Sequence, residues 1–214
     1  MKIMTPILPN EPETCHDIDR AMLQAAEDQT DLLSLLFADG AITDIRMQDI
    51  KFSGCIFRNC RFSECRIEKS YFLDVRFENC DLSNIYLNEN KFHRVFFDNC
   101  RIMGTNFYES IWEDVILEGC NGRYANFSGS KFKSAAFVQG SFAEAVFGDC
   151  TLKHVTFENC DFTAVQFLNT PLAGMDLRSC QLEGIRLAPS DLKGAIVSAY
   201  QASDLARFLG LIIR

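Results

Sequence analysis

Residues 52–82 read FSGCIFRNCRFSECRIEKSYFLDVRFENCDL, and a single spacing governs the whole stretch. Phe52, Phe57, Phe62, Ile67, Phe72, Phe77 and Leu82 fall five residues apart. The series continues in both directions without a phase slip, from Ile42 to Val197, and Gly122 is its one member that is not a large hydrophobe. A helix repeats every 3.6 residues and a strand every 2.0, so neither yields a period of five. A chain that turns the same corner every five residues places all of these side chains in one core.

Two positions before each of these centres lies a second inward set: Cys55, Cys60, Cys65, Ser70, Val75, Cys80 and Ile85. Its members are uncharged and mostly small or β-branched, whereas the other three positions of each five carry nearly all the charge. Binary patterning decides which face is buried, so two of every five residues point inward and three outward. A longer period is nested inside. FRNC (57–60), FENC (77–80), FDNC (97–100), LEGC (117–120), FENC (157–160) and LRSC (177–180) recur every 20 residues. Four fives per coil make four sides, and self-similarity at a fixed period marks a repeat architecture. Coils stacked by backbone hydrogen bonds rise about 4.8 Å each, so the eight coils expected between 42 and 197 make a rod roughly 38 Å long.

CDLSN (80–84), ANFSG (125–129), CDFTA (160–164), MDLRS (175–179) and SDLKG (190–194) are similar to the consensus A(D/N)LXX of pentapeptide-repeat proteins. The resemblance covers about three quarters of the chain and implies an all-β fold, a right-handed quadrilateral β-helix. DLKG (191–194), YQAS (200–203) and LGL (209–211) also resemble, in order and spacing, the C-terminal segment of the Qnr-type quinolone-resistance branch. That likeness implies a homodimer joined end to end through the C-terminal helix. It further implies protection of DNA gyrase or topoisomerase IV by partial mimicry of duplex DNA.

The ends depart from the repeat. Residues 1–13, with Pro6, Pro9 and Pro12, read as a disordered or extended leader. It fits neither a secretory signal nor a bilayer span, and the expected compartment is the cytoplasm. Between 14 and 38, Ile18, Met22, Ala25, Ala26, Leu32, Leu33, Leu36 and Phe37 recur at helical spacing, interrupted near Asp28–Asp31. One or two short helices capping the first coil are expected there, because an open solenoid end exposes strand edges. The β-helix is then expected over 39–198, with a dimerisation helix and tail over 199–214. Ala202, Leu205, Phe208 and Leu209 form the apolar face that a cap needs, and the extra Leu211, Ile212 and Ile213 leave apolar surface that usually marks a partner. Leu205, Phe208, Leu209, Leu211, Ile212 and Ile213 are the candidate dimer contacts.

Chemistry is scarce. Nine of the ten Cys occupy the small inward slot without CxxC clustering or a neighbouring His, so core thiols are expected rather than a metal site. His93 and His154 sit on one side, three coils apart, or about 14 Å. No phosphate loop or nucleophile elbow occurs, so neither an enzyme nor a cofactor is expected. The chain holds 29 Asp and Glu against 21 Lys and Arg, net −8. No basic stripe is apparent along it, which argues against direct nucleic-acid binding. Within 41–198 the balance is 20 against 17, far below the one charge per about 1.7 Å of duplex DNA. Mimicry would therefore rest on shape and local columns.

Two acidic columns are candidate partner surfaces: Glu78, Asp98, Glu118 and Glu158 on one side, and Glu89, Glu109 and Asp149 on another. A third candidate is apolar, formed by Ile56, Phe96, Ile116, Ala136 and Ile196 in an outward slot. It is either covered by the N-terminal helices or meets a partner. Gly122, in Asn121-Gly122-Arg123-Tyr124, predicts a local irregularity, with Tyr124 folding inward to compensate. A rod with its partner held on the apolar strip, and no topoisomerase link, is the alternative reading.

Overall fold

The computed structural model describes residues 3–209. They form a four-sided β-solenoid of about nine turns. The first side is centred on Phe52, Phe72, Phe92 and Trp112, and the second on Phe57, Phe77, Phe97 and Leu117. The third is centred on Phe62, Leu82, Ile102 and Gly122, and the fourth on Ile67, Leu87, Phe107 and Phe127. All of these centres are buried, Gly122 included.

The chain opens with β1 (Glu13–Cys15) and helix α1 (Ile18–Asp28), then enters the rod at β2 (Leu32–Leu33) and β3 (Leu35–Ala38). Short strands β4 (Ala41–Thr43), β5 (Arg46–Gln48), β6 (Lys51–Ser53), β7 (Ile56–Arg58), β8 (Arg61–Ser63) and β9 (Arg66–Glu68) trace the sides of the first coils. From there the first and second sides fuse into eight-residue strands: β10 (Tyr71–Glu78), β11 (Lys91–Asp98), β12 (Ile111–Glu118) and β13 (Lys131–Val138). Pairing is parallel with an offset of 20, as in Tyr71↔Lys91↔Ile111↔Lys131. The third and fourth sides are joined by single bridges such as Asp81↔Arg101 and Tyr86↔Asn106.

One correction concerns the N-terminal boundary. A single helix, 18–28, forms there, within the one or two expected, but residues 32–38, expected from sequence in the helical cap, hold strands of the rod. Leu32 and Phe37 belong to the five-residue series, which therefore starts two members before Ile42 and adds half a coil to the eight expected. Their helical spacing to Ile18 and Met22 is incidental.

Stacking matches the strand spacing. Phe37, Phe57, Phe77 and Phe97 form a ladder with ring centroids 4.7, 4.9 and 4.9 Å apart. Phe107, Phe127 and Phe147 form another at 5.1 and 4.6 Å. Most of the inward Cys, Ser, Thr and Asn residues hold successive coils together by donating to the carbonyl of the centre one coil below, whereas Ser70 donates to Glu68 O in its own coil. Cys80 Sγ bonds Phe57 O at 3.3 Å, Cys100 Sγ bonds Phe77 O at 3.4 Å, Thr105 Oγ1 bonds Leu82 O at 2.6 Å and Asn90 Nδ2 bonds Ile67 O at 2.7 Å. Burial pushes the Cys120 and Cys150 thiols up to about 12, so they remain protonated donors.

Each corner is turned by the residue two after the centre, almost always at positive φ, as at Asn59 (52°), Asp74 (55°), Asn99 (52°) and Gly104 (66°). Asn, Asp and Gly tolerate that region best. Ser134 is missing from this positive-φ set, and the β12–β13 register shifts there, setting Glu113 opposite Ser134. Its hydroxyl donates instead to Asp114 Oδ1 at 3.0 Å. The irregularity expected at Gly122 therefore lies elsewhere. The Gly122 coil keeps its ladder bonds, with Gly122 N to Ser141 O at 2.7 Å, and Tyr124 stays half exposed. A Cβ on Gly122 would stand 2.6 Å from two ring carbons of Phe142, and one on Gly140 would stand 2.7 Å from a third. The Phe142 ring thus fills the space that both glycines leave.

Candidate interaction surfaces

The outward positions decide what the rod can meet, and the 20-residue register sorts them by side. On the second side, Glu78 is clasped by Arg58 (2.6 Å) and Arg76 (2.8 Å), and Asp98 by Arg76 (2.9 Å). Glu118 and Glu158, farther along the same column, are exposed and make no ion pair among the described residues. The lower half of this column is therefore neutralised and its upper half carries free charge. Glu89, Glu109 and Asp149 occupy positive-φ corners between the fourth and first sides and are all exposed. Asp149 accepts from Asn169 Nδ2 at 3.0 Å.

The apolar strip is less continuous than its sequence spacing suggested. Ile56 is 9% exposed, Phe96 and Ile116 are half-buried, and Ile196 is 45% exposed. Arg76 occupies the same slot between Ile56 and Phe96, and its guanidinium lies 5.0 Å from the Phe96 ring centre. Helix α1 does not cover this strip; it packs on β4 and β5, across the third and fourth sides.

The same register sorts the lysines of the first side into interrupted columns. Lys51, Lys91 and Lys131 stand in one column of the first side, and Lys133, Lys153 and Lys193 in another. Of these, Lys133 pairs with Glu113 at 3.0 Å. Asp74 and Arg94 form a bidentate pair at the corner of the first and second sides, with Nε to Oδ1 at 2.6 Å and Nη2 to Oδ2 at 2.7 Å. Burial pushes the Asp74 carboxyl up, but the Arg94 bonds and the Ile7 N–H outweigh it and hold it below the usual carboxylate range. Arg94 Nη1 also lies 3.1 Å from His93 Nε2, and His93 Nδ1 lies 3.1 Å from Tyr71 Oη. A guanidinium has no acceptor, so Nε2 carries the lone pair there.

At the C-terminal end, helix α2 (Ala199–Leu205) opens with a capping box between Ser198 and Gln201. Gln201 Nε2 donates to Leu177 O and Cys180 O, both at 2.8 Å, replacing donors that a further coil would supply. Leu205 is buried against the last coil and Phe208 is half-buried. Leu205 thus packs inward on its own rod. An apolar hollow of about 300 Å³ is lined by Leu192, Ala195, Val197, Ala202, Leu205 and Phe208. The side chain of Leu209, and Leu211, Ile212 and Ile213, lie outside the described residues.

A profile described as "Pentapeptide repeat region" matches residues 70–147 and 130–202, and one described as "Pentapeptide repeats (9 copies)" matches 43–85. The chain belongs to the pentapeptide-repeat family. No curated protein matches this pentapeptide-repeat chain. Among solved structures it is similar to trypsin-treated QnrB1, a plasmid-mediated fluoroquinolone resistance protein, with 19% identity and a TM-score of 0.41 over 86% of this chain and 99% of that one. It is similar to a pentapeptide repeat protein from the Arabidopsis thaliana thylakoid lumen, with 19% identity and a TM-score of 0.41 over 42% of this chain and 63% of that one. A third is HetL, involved in heterocyst differentiation regulation in the cyanobacterium Nostoc sp. strain PCC 7120, with 13% identity and a TM-score of 0.39 over 86% and 97%. No described helix is long and apolar enough to cross a membrane.

Proposed function

We propose that this pentapeptide-repeat rod binds a type II DNA topoisomerase, gyrase or topoisomerase IV, at a surface that receives duplex DNA, and so modulates the enzyme or protects it from quinolones. The observation that supports this reading is the pair of exposed acidic ladders, Glu118 with Glu158 and Glu89 with Glu109 and Asp149. They present carboxylates at steps of one or two coils, about 5–10 Å, along the rod. The density is lower than that of a duplex, so shape and local field would share the work. The likeness of residues 191–211 to the Qnr-type C-terminal segment adds the expectation of a homodimer, and the apolar hollow beside Phe208 is where a second copy would seat.

A supercoiling assay with purified gyrase and topoisomerase IV, with and without a quinolone, tests the reading. Inhibition or protection at micromolar protein is expected, and it should weaken when Glu89, Glu109 and Asp149 are replaced together by Gln. No effect on either enzyme sinks it. The half-buried Phe96 and Ile116 favour a second reading, a scaffold for another protein partner. In that case Phe96→Lys with Ile116→Lys would remove the partner while the acidic-ladder variant kept it.

A further inference from the structure

Residues 3–12 run along the rod rather than across its end. At the bottom, Glu13 N donates to Ser34 O at 3.0 Å. One coil up, Pro9 Cδ stands 3.5 Å from where a Cβ on Gly54 would be. Another coil up, Ile7 N donates to Asp74 Oδ1 at 2.8 Å. The leader therefore climbs the column Ser34, Gly54, Asp74, the corner between the first and second sides.

The acceptor at the top of this climb is rigidly held. Asp74 is 8% exposed, and Arg94 fixes both of its oxygens while resting on His93. An acid held this way keeps a lone pair of Oδ1 aimed at a main-chain N–H. The leader suits it, because Pro6, Pro9 and Pro12 favour an extended polyproline-type backbone whose remaining N–H groups have no internal partner. A helix could not serve, since its amides are already bonded, and a polyanion would meet a carboxylate.

The hold on the leader is light. Ile7 is 71% and Met4 52% exposed, and the Ile7 amide bond is the one hydrogen bond between residues 3–12 and the rod among the described residues. Sealing the rod's end does not require this segment, because β1 and α1 already do so. Recognition rests on a main-chain N–H and proline-shaped backbone, which another chain can supply equally well. We propose that the corner over Ser34, Gly54 and Asp74 is a docking track for an extended, proline-flanked peptide segment of a partner protein, and that the leader occupies it in cis until displaced. This stands independently of the topoisomerase reading.

The test uses the full-length chain and a fluorescein-labelled synthetic peptide of residues 3–12, followed by anisotropy. Ile7→Pro in the protein removes the donor in cis and should let the peptide bind at least about 10-fold more tightly than to the parent chain. Adding Asp74→Asn should abolish that gain, and a peptide carrying the same Ile7→Pro change should not bind. Equal binding to parent and I7P chains, no saturable binding to the I7P chain, or indifference to Asp74→Asn would each overturn the proposal. Where Asp74→Asn lowers the melting temperature too far, amide exchange in the parent chain decides. Excess unlabelled peptide must accelerate exchange at the Ile7 amide, and an unchanged rate overturns the proposal.

Discussion

The two ends of the rod are closed by unlike means. At the N-terminal end β1 adds a parallel strand to β3 on the second side, while α1 lies across the third and fourth sides. Ile18 of α1 occupies the space that a side chain at Gly40 would need, and Met22 is fully buried. At the C-terminal end one side chain, Gln201, takes two carbonyls, Leu205 closes part of the last coil, and the apolar hollow beside Phe208 remains. Apolar packing seals the first end, whereas a polar clasp beside an apolar surface finishes the second. A repeat rod needs both ends managed, and the difference leaves apolar surface at the C-terminal end, where the proposed second copy would seat.

The severest way to break this comparison is Met22→Asp. A charge without a partner in the N-terminal plug should cost about 3–5 kcal/mol. Urea unfolding should show a lower midpoint, and exchange should rise first in β4 and β5. Stability equal to the parent would mean that α1 is not a plug. Gln201→Ala is next. It removes the side-chain donor from both carbonyls, leaving Leu177 O with the Cys180 N–H alone, and should cost about 1–3 kcal/mol. Exchange should rise in residues 175–197 and leave the N-terminal coils unchanged; uniform loss along the rod would contradict local capping.

Much of this is legible in the five-residue series, because each centre must point inward and a phase slip would expose it. Where sequence and structure part, a local signal outweighs the period. Leu32 and Phe37 read as helical because Ile18, Met22, Leu33 and Leu36 also fit a helical face. Gly122 reads as a distortion of its coil, since a single series does not reveal that Phe142, one coil later, and Gly140 share its space. The surfaces are harder still. The period constrains two residues in five, so Arg76 breaking the strip and the lysine columns of the first side emerge only when positions 20 apart are aligned. The docked leader has one signal, prolines at every third position, but its acceptor Asp74 looks like any other corner Asp.

Phe208→Lys separates the capping role of the C-terminal end from its proposed pairing role. Phe208 is only half-buried on its own rod, so the monomer should lose less than about 1 kcal/mol, the scale of a change at a partly exposed site. Light scattering should nevertheless show the mass fall from that of a dimer to that of a monomer. A parent chain that is already monomeric at about 100 µM, or a variant that still dimerises, removes the C-terminal interface.

The smallest effect distinguishes the ends by their chemistry under acid. Gln201 does not titrate, so the C-terminal clasp should be indifferent to pH. The leader, in contrast, is held by Asp74, whose carboxyl lies below its ordinary value because Arg94 and the Ile7 amide outweigh its burial. A carboxylate lowered by folding stabilises above the unfolded value, about 3.9, and loses that contribution as pH falls through the lowered one. Exchange-corrected protection at the Ile7 amide should therefore be flat from pH 7 to 5 and decline only below about 4, ahead of any change at the Gln201 side chain. Release between pH 7 and 5 would mean that Asp74 is not the controlling group, and simultaneous loss at both ends would mean that acid unfolds the rod as a whole.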